Sequence, residues 1–148
     1  MADLGTKGGR GGAGLTGVKQ IALSLVRPMV FAAGRNDSEG NPASPCLAMP
    51  YPGVFRFRWA VRAGTRSISV SVKQSLNASP RPSITVKASP GIGIASDVSA
   101  SAASGTGWVT AGPAVVTPTS DGVVYVELAN NTTGENDHSC YFDHITTT

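Results

Sequence analysis

Hydrophobic and polar residues alternate along much of the chain, and a period of two is typical of β-strands that bury one face. The segment RSISVSVKQ (66–74) shows the pattern most clearly, because serines separate Ile68, Val70 and Val72. Similar segments recur at intervals of about ten residues, with no convincing amphipathic helix between them. They are KQIALSLV (19–26), FRFRWAVR (55–62), PSITVKAS (82–89), the weaker DVSASAAS (97–104), GWVTAGPAVVTP (107–118), GVVYVELAN (122–130) and SCYFDHITT (139–147). The pattern predicts an all-β chain folded as an antiparallel, jelly-roll-like β-sandwich.

Two of the connections between these segments also have predictable forms. The sequence AGTR (63–66) is short and contains a glycine, which favours a hairpin turn between the strands on either side. Residues 35–53 contain four prolines, and we interpret them as a long loop.

The segment FRFRWAVR places apolar and cationic side chains on opposite sides of its strand. A one-residue slip would bury three guanidinium groups, so we expect the apolar set to fill the core. That set is Phe55, Phe57, Trp59 and Val61, and the outward set is Arg56, Arg58 and Arg62. Arginines on one face suit an acidic surface, and we predict a contact with another protein there, a solvated face being the alternative. The lack of interleaved aromatic residues argues against nucleic acid.

Composition and charge narrow the classes of function. The chain has 148 residues, enough for one domain, and only 14% are charged, which describes a surface suited to contact with other proteins. A net charge of +3 is too mild to indicate nucleic acid by itself. The N-terminus has no apolar signal-peptide core, and no apolar run reaches the roughly 20 residues of a membrane span. We therefore expect synthesis in a cytoplasm and no membrane partner.

Residues 1–17 differ from the rest because they include seven glycines, together with Lys7 and Arg10. Alone, such a segment cannot bury enough apolar surface to offset its ordering entropy. We interpret it as an N-terminal arm that is held by a neighbouring subunit, with Lys7 and Arg10 as partner-binding residues. Residues 18–148 then form the sandwich domain.

The segment HSCYFDH near the C-terminus gathers residue types that occur in metal and catalytic sites. On a regular strand His138, Cys140 and His144 would share one face while Asp143 points to the other, and their spacing matches no zinc pattern. We therefore expect no metal, no cofactor and no catalytic residues, and we predict that the chain is not an enzyme. Cys46 and Cys140 are predicted to be reduced and buried, because no secretion signal is visible.

The C-terminal half carries a recognisable order of motifs. GWVTAGPAVVTPTSDGVVYVELAN followed by CYFDHI resembles jelly-roll domains of the carbohydrate-binding-module, galactose-binding-like kind, over roughly residues 54–147. In those domains an aromatic-Asp-Asp strand ends the chain, whereas here His144 replaces the second acid. The resemblance implies a sandwich, and sugar binding would use the aromatic side chains of Trp108, Tyr125 and Tyr141. A structural calcium, common in such domains, would have to use Asp121, Glu127, Asp137 and Asp143.

These observations favour a structural protein over a catalyst. We interpret the chain as a non-enzymatic subunit of a virion or similar assembly, most plausibly a phage head or decoration protein present in many copies. Its partners would be copies of itself or a capsid or filament protein, and it would reside in the virion or in an extracellular assembly. The alternative is a carbohydrate-binding module, which should present an aromatic platform and a groove.

Overall fold

The computed structural model describes residues 19–21, 34–36, 46–75, 79–132 and 139–148. The strands are β1 (Lys19–Ile21), β2 (Gly34–Asn36), β3 (Cys46–Met49), β4 (Gly53–Val61), β5 (Arg66–Gln74), β6 (Ser83–Val86), β7 (Val98–Ser101), β8 (Val109–Val116), β9 (Gly122–Asn130) and β10 (Cys140–Thr147). Within these ranges no helix has the length and hydrophobicity needed to cross a bilayer. The predicted arm (1–17, with Lys7 and Arg10), Asp137 and His138 lie outside the described residues. Their roles stay predictions.

The described strands pair into two antiparallel sheets, as the alternation predicted. The β10 sheet has the order β2-β3-β10-β5-β8, and β1 also pairs with the end of β10. The β9 sheet has the order β4-β9-β6-β7. Strands β3 to β10 contribute inward side chains, largely at alternate positions, and these form one shared hydrophobic core. The all-β, antiparallel sandwich expected from the sequence is confirmed.

The centre of the core comes from β4, as the FRFRWAVR pattern predicted. The side chains of Phe55, Phe57 and Trp59 are 0% exposed, and Val61 is 4% exposed. Phe55 and Phe57 also contact each other, with ring centroids 5.9 Å apart. Aromatic side chains bury more apolar surface than aliphatic ones, so β4 supplies a large share of the hydrophobic stabilisation.

The predicted hairpin between β4 and β5 is wrong. β4 pairs with β9 along its whole length, from Gly53 opposite Asn130 to Val61 opposite Gly122, whereas β5 pairs with β10 and β8. The connection at residues 62–65 therefore crosses from one sheet to the other. The backbone N–H of Ala63 donates to Asp121 Oδ1 at 2.9 Å and fixes the crossing. Alternation specifies which face of a strand is buried, but it does not specify which strand lies alongside.

The predicted loop over residues 35–53 is also only partly right. It contains β3, whose residues Cys46, Leu47 and Met49 are buried and whose backbone pairs with β10. The prolines of the segment flank this strand without interrupting it. A strand of four residues is too short for alternation to distinguish it from a loop, so the surrounding prolines misled the prediction.

A β-bulge in β10 reverses which side chains face the core. The register places Asp143 opposite Ser71 and Ile145 opposite Val70, so that His144 is the extra residue. Cys140 points into the core before the bulge, while His144 lies half-buried outside it. The expectation that Cys140 and His144 share a face is therefore wrong, because it assumed a regular strand.

Candidate functional site

A groove of about 470 Å³ opens at one end of the sandwich. We call it the end groove. It lies where β4 begins and β9 ends, and the turn before β4 and the connection before β6 form its walls. The lining residues are Tyr51, Pro52, Gly53, Val54, Pro80, Asn130 and Asn131. Apolar walls with a few polar groups are typical of sites for small ligands.

The turn that carries Tyr51 is shaped by its neighbours in the sequence. Tyr51 stands between Pro50 and Pro52, whose rings restrict the backbone of the turn. A Cβ at Gly53 would lie 2.2 Å from Cγ of Met49 and 2.4 Å from the carbonyl oxygen of Pro50. Only glycine lets the chain turn this closely over Met49. As a result Tyr51 remains 43% exposed at the rim of the groove.

The floor of the end groove is held by a buried polar network. Asn130 is 2% exposed, and its Nδ2 donates to the carbonyl oxygen of Met49 at 2.9 Å. Its Oδ1 accepts the backbone N–H of Thr132 at 3.2 Å, and Gln74 Nε2 donates to Thr132 Oγ1 at 3.0 Å. Arg81 Nη1 then donates to Gln74 Oε1 at 3.1 Å. Hydrogen-bonded buried groups resist displacement, so this network rigidifies the groove.

Asn131 presents a fixed hydrogen-bond acceptor at the same site. Its Nδ2 donates to the carbonyl oxygen of Arg81 at 3.1 Å and to Ser83 Oγ at 2.8 Å. A carbonyl oxygen can only accept, so this pairing determines which end of the carboxamide is the NH₂ group. Both hydrogens are used within the protein. The carboxamide oxygen is therefore oriented and able to accept a hydrogen bond from a ligand.

A second surface with an exposed ring is the outer face of the β9 sheet, which we call the β9 face. Tyr125 is 42% exposed and lies directly opposite Arg58 of β4. On its other side, the backbone N–H of Lys87 donates to the carbonyl oxygen of Tyr125 at 2.9 Å. Arg58 on β4, Tyr125 on β9 and Lys87 directly after β6 thus form one row across the sheet. Residues that the sequence analysis assigned to two different roles therefore share one face: Arg56 and Arg58 from the arginine row, and Tyr125 from the aromatic candidates.

The next row along the β9 face is a chain of ion pairs. Arg56 Nε donates to Glu127 Oε1 at 2.8 Å, and Lys87 Nζ lies 3.7 Å from Glu127 Oε2. Lys87 also pairs with Asp97, whose Oδ1 accepts the backbone N–H of Ala88 at 2.8 Å. The hydrogen bond from Lys87 holds the pKa of Asp97 below its ordinary value, and the same bond raises the pKa of Lys87. Both groups are therefore charged at neutral pH.

The arginine row predicted from the sequence is divided by the structure. Arg56 and Arg58 lie on the β9 face, whereas Arg62 follows the end of β4 at the crossing between sheets. Their alternation suggested cations without interleaved acids, but Glu127 of the neighbouring strand is paired with Arg56. A cross-strand partner cannot be found from one strand alone. A partner-binding role for the three arginines stays a prediction.

The other aromatic candidates lie elsewhere. Tyr141 is on the outer face of the β10 sheet, where the Nζ of Lys73 lies 5.9 Å from its ring centroid. Tyr125 and Tyr141 therefore occupy opposite outer faces and cannot form one platform. Trp108 is half-buried and precedes β8. Sugar binding by each of these three residues stays a prediction.

The calcium candidates do not fit a calcium site. In the part of the chain that the structure describes, no three Asp, Glu, His or Cys side chains converge as metal ligands. Asp121 accepts the backbone N–H of Ala63, Glu127 pairs with Arg56, and Asp143 accepts the backbone N–H of His144 at 2.8 Å. Calcium requires six to eight oxygen ligands at one point, and these carboxylates lie on three different strands or connections.

Both cysteines are buried, as predicted, and they form no disulfide with each other. The register pairs Cys140 with Met49, which is three residues along β3 from Cys46. At roughly 3.4 Å per residue the two cysteines are about 10 Å apart along the strands. A disulfide tolerates Cα atoms at most about 7 Å apart, so the two thiols cannot pair without movement of the backbone.

Burial raises the pKa of the Cys140 thiol to about 11. We expect neither cysteine to react with Ellman's reagent in the folded protein at pH 8, and both to react after unfolding in urea. The pKa of Cys140 in the folded protein lies above its ordinary value of 9.0. The contribution of the neutral thiol to the free energy of unfolding is therefore fully present below pH 9 and is lost as the pH rises toward 11. Rapid labelling of the native protein would contradict this placement, and a Cys46→Ala variant assigns the signal to one thiol.

The end groove is a feature that sequence reasoning missed. Tyr51 and Asn131 are 80 residues apart, and neither belongs to an apolar alternation. One signal was present, since an aromatic residue between two prolines in a polar, turn-rich segment has no obvious role in the core. Nothing in the sequence indicated that Asn131 would lie beside it, because the pairing of β4 with β9 was not predictable.

Comparisons with known proteins show the fold. No protein-family model matches the chain, and no curated protein matches its sequence. Among solved structures, the carbohydrate-binding module CBM36 in complex with calcium and xylotriose is 14% identical, with a TM-score of 0.54 over 88% of this chain and 99% of that one. The CBM36-1 domain of a multidomain xylanase from the hindgut metagenome of Trinervitermes trinervoides is 11% identical, with a TM-score of 0.55 over 89% and 97%.

A third similar structure gives the same result. The C-terminal CBM6 of a marine laminarinase from Zobellia galactanivorans is 10% identical, with a TM-score of 0.58 over 89% of this chain and 99% of that one. Identities this low establish the fold and nothing finer. The resemblance seen in the C-terminal motifs is confirmed, and the chain has the β-sandwich fold of carbohydrate-binding modules.

Proposed function

We propose that this chain binds carbohydrate and that the end groove is its binding site. The observation that carries the proposal is the pairing of an exposed ring, Tyr51, with an oriented acceptor, the carboxamide oxygen of Asn131, across a concave surface. This is the second of the two functions that the sequence suggested. The folds of the similar structures support it better than they support a virion subunit.

The groove matches the chemistry of a sugar ring. A pyranose has an apolar C–H face, which can stack on the ring of Tyr51, and a rim of hydroxyl groups, which can donate to Asn131 Oδ1. Pro52, Val54 and Pro80 supply apolar walls on which the edges of the sugar can rest. The buried network under the groove fixes these groups in advance, so binding loses little conformational entropy.

The lining also favours binding over hydrolysis. Glycosidases use a pair of carboxyl groups on the two sides of the scissile bond. Among the described residues, those that line the end groove include no carboxylate, no histidine and no cysteine. The proposal is therefore a non-catalytic module. It also invokes no calcium, because no carboxylate is among the described residues of the groove lining.

A structural role in a virion stays a prediction. The similar structures give it no support, and the arm on which it rested lies outside the described residues. Localisation in a virion is likewise an expectation from the sequence alone. A carbohydrate-binding sandwich on the surface of a particle would satisfy both interpretations, but the proposal made here requires only the groove.

Affinity electrophoresis through gels that contain xylan, laminarin, mannan or dextran tests the proposal. We expect at least one neutral polysaccharide to retard the protein, with and without EDTA. Tyr51→Ala should weaken that binding by about tenfold or more, since it removes the stacking surface. Tyr51→Phe keeps the ring and should bind nearly as the parent does.

The control removes an aromatic ring from another surface. Tyr141→Ala lies on the outer face of the β10 sheet and should leave the retardation unchanged. If the parent protein migrates in every polysaccharide gel as it does in a gel without polysaccharide, it binds none of these sugars and the proposal is refuted. A Tyr51→Ala variant that is retarded as strongly as the parent would remove the end groove from the proposal.

A further inference from the structure

We propose that the β9 face is a second binding site, separate from the end groove, and that it takes an anionic polysaccharide. The acidic groups of such a polymer would be carboxylates or sulfates, which share the chemistry that arginine and lysine recognise. The juxtaposition that carries the inference is the row of Arg58, Tyr125 and Lys87, in which a cation flanks an exposed ring on each side.

The ring of Tyr125 is open to a ligand in a way that the ring of Tyr141 is not. A lysine ammonium lies 5.9 Å from the ring centroid of Tyr141. Within the described ranges no such cation lies over the ring of Tyr125, which is 42% exposed. Its neighbours on β9, Val124 and Val126, are buried, so the strand holds the tyrosine outward. An open ring on a flat sheet suits an extended polymer, because no walls enclose the ends of the ligand.

The charge on this face favours an anion. Its described charged side chains are three cations and two carboxylates, namely Arg56, Arg58, Lys87, Glu127 and Asp97. Both carboxylates are engaged within the protein: Glu127 by Arg56 and Lys87, and Asp97 by Lys87 and the backbone N–H of Ala88. Their negative charge is thus compensated locally. Lys87 itself pairs with both acids, so the face as a whole carries one more cation than carboxylates. A polyanion lying across Tyr125 would meet this excess of positive charge.

The spacing of the row fits a repeating polymer. Arg58 and Tyr125 lie on the neighbouring strands β4 and β9, and Lys87 directly follows β6 and is hydrogen-bonded to Tyr125. Neighbouring chains in a sheet lie about 4.8 Å apart. The two cations therefore flank the ring at roughly 10 Å from each other, measured between strands. A sugar unit stacked on Tyr125 would place the acidic groups of the units on either side near the cations. A guanidinium fork can bind a carboxylate or a sulfate with two parallel hydrogen bonds.

A protein partner fits this face less well. The cores of protein interfaces are depleted of charge, whereas here Arg58, Lys87 and Glu127 lie on three sides of the exposed ring, with Val123 on the fourth. Nucleic acid would call for further exposed rings on which successive bases stack, and Tyr125 is the one aromatic residue among the described outward positions of this sheet. An anionic polysaccharide stays hydrated when bound, so it can lie against the existing ion pairs, and it needs only the ring of Tyr125 for stacking.

Isothermal titration with three polymers of one backbone tests the inference: dextran, carboxymethyl dextran and dextran sulfate. We expect both charged polymers to bind and neutral dextran to show no binding at this face. The affinity should fall as NaCl is raised, because salt screens the contacts. Which charged polymer binds more tightly decides between carboxylate and sulfate as the preferred group.

Variants locate the binding on the protein. Arg58→Gln and Tyr125→Ala should each weaken the charged polymers by about tenfold. The matched control is Lys73→Gln, which removes the same charge from the opposite outer face and should change the affinity less than twofold. Tyr51→Ala should leave this binding intact, so failure of the end groove and failure of the β9 face are distinguishable. Thermal melts confirm that each variant is folded. If Arg58→Gln is not folded, Lys87→Gln takes its place in the test.

Three outcomes would overturn the inference. If Lys73→Gln weakens binding as much as Arg58→Gln, the attraction is a diffuse effect of net charge. If neutral dextran binds as tightly as its charged forms and Tyr125→Ala removes all three, the face recognises neutral sugar. If sedimentation shows an oligomer that Arg58→Gln dissociates, the face belongs to a protein interface, as the arginine alternation first suggested.

Discussion

Replacing Trp59 with alanine should lower the free energy of unfolding by about 3–5 kcal/mol. Trp59 is the largest of the fully buried side chains, with 0% exposure, and it lies between Phe57 and Val61 on the inward side of β4. Its removal would leave a cavity between two sheets that cannot close without changing the pairing of β4 with β9. Urea denaturation followed by circular dichroism measures the loss.

The control for this variant is Trp59→Phe. The indole N–H of Trp59 is buried and has no hydrogen-bond partner in the part of the chain that is described. Phenylalanine keeps an aromatic ring and removes this unsatisfied donor, so part of the lost packing is compensated. We expect Trp59→Phe to cost less than half of what Trp59→Ala costs. Equal losses would show that the indole is held by more than packing.

Replacing Gly112 with alanine should destabilise the protein by about 2–4 kcal/mol. Gly112 and Pro113 form a bulge in β8 opposite the single residue Ser69 of β5. The φ angle of Gly112 is +126°, and a Cβ there would lie 2.9 Å from the Cα of Ser69. The Cβ would also lie 2.7 Å from Oγ and 2.9 Å from Cβ of Ser69. The backbone Cα cannot rotate away as a side chain can, so the ladder between β5 and the edge strand β8 must shift.

Gly107→Ala is the matched substitution. It lies shortly before β8, where a Cβ would meet no atom within 4 Å, and it should change stability by less than about 0.5 kcal/mol. The two melting curves should therefore separate clearly. If Gly112→Ala is as stable as Gly107→Ala, the bulge adapts to a side chain, and its geometry is not what fixes the register of β8.

The features that could be predicted are those that depend on the sequence of a single strand, namely its position and its buried face. β5 spans residues 66–74 as its alternation indicated, and the buried face of β4 was assigned correctly. Both strands have one apolar and one polar face over nine residues, so that a slip in register would expose the whole core side. Burial, unlike pairing, is a local property of such a sequence.

The elements that could not be predicted depend on distant parts of the chain. The crossing after β4 resembles a hairpin turn until the pairing of β4 with β9 is known. The bulge at His144 leaves no mark in the sequence, because its position depends on the register with β5. β3 is only four residues long and derives its strand character from β10. Alternation contains no information about any of these pairings.

The two candidate sites illustrate the same limit. Arg58 and Tyr125 were both singled out, but as members of different sets, because their shared row exists only once β4 lies beside β9. Tyr51 and Asn131 meet at the end of that same ladder, where Gly53 pairs with Asn130. One pairing of strands therefore creates both sites, and no pattern in the sequence indicated that pairing.

The position of β10 has a consequence for how the protein is made. The last strand is not at an edge: it lies inside its sheet, with β5 on one side and β3 and β1 on the other. Lys19 pairs with Thr147, so the first and last described strands meet. The β10 sheet can form only after residues 140–147 have been synthesised, and until then β3 and β5 lack the strand that pairs with both of them. Because β10 is distant in sequence from each of its partners, formation of this sheet has the slow kinetics of high contact order.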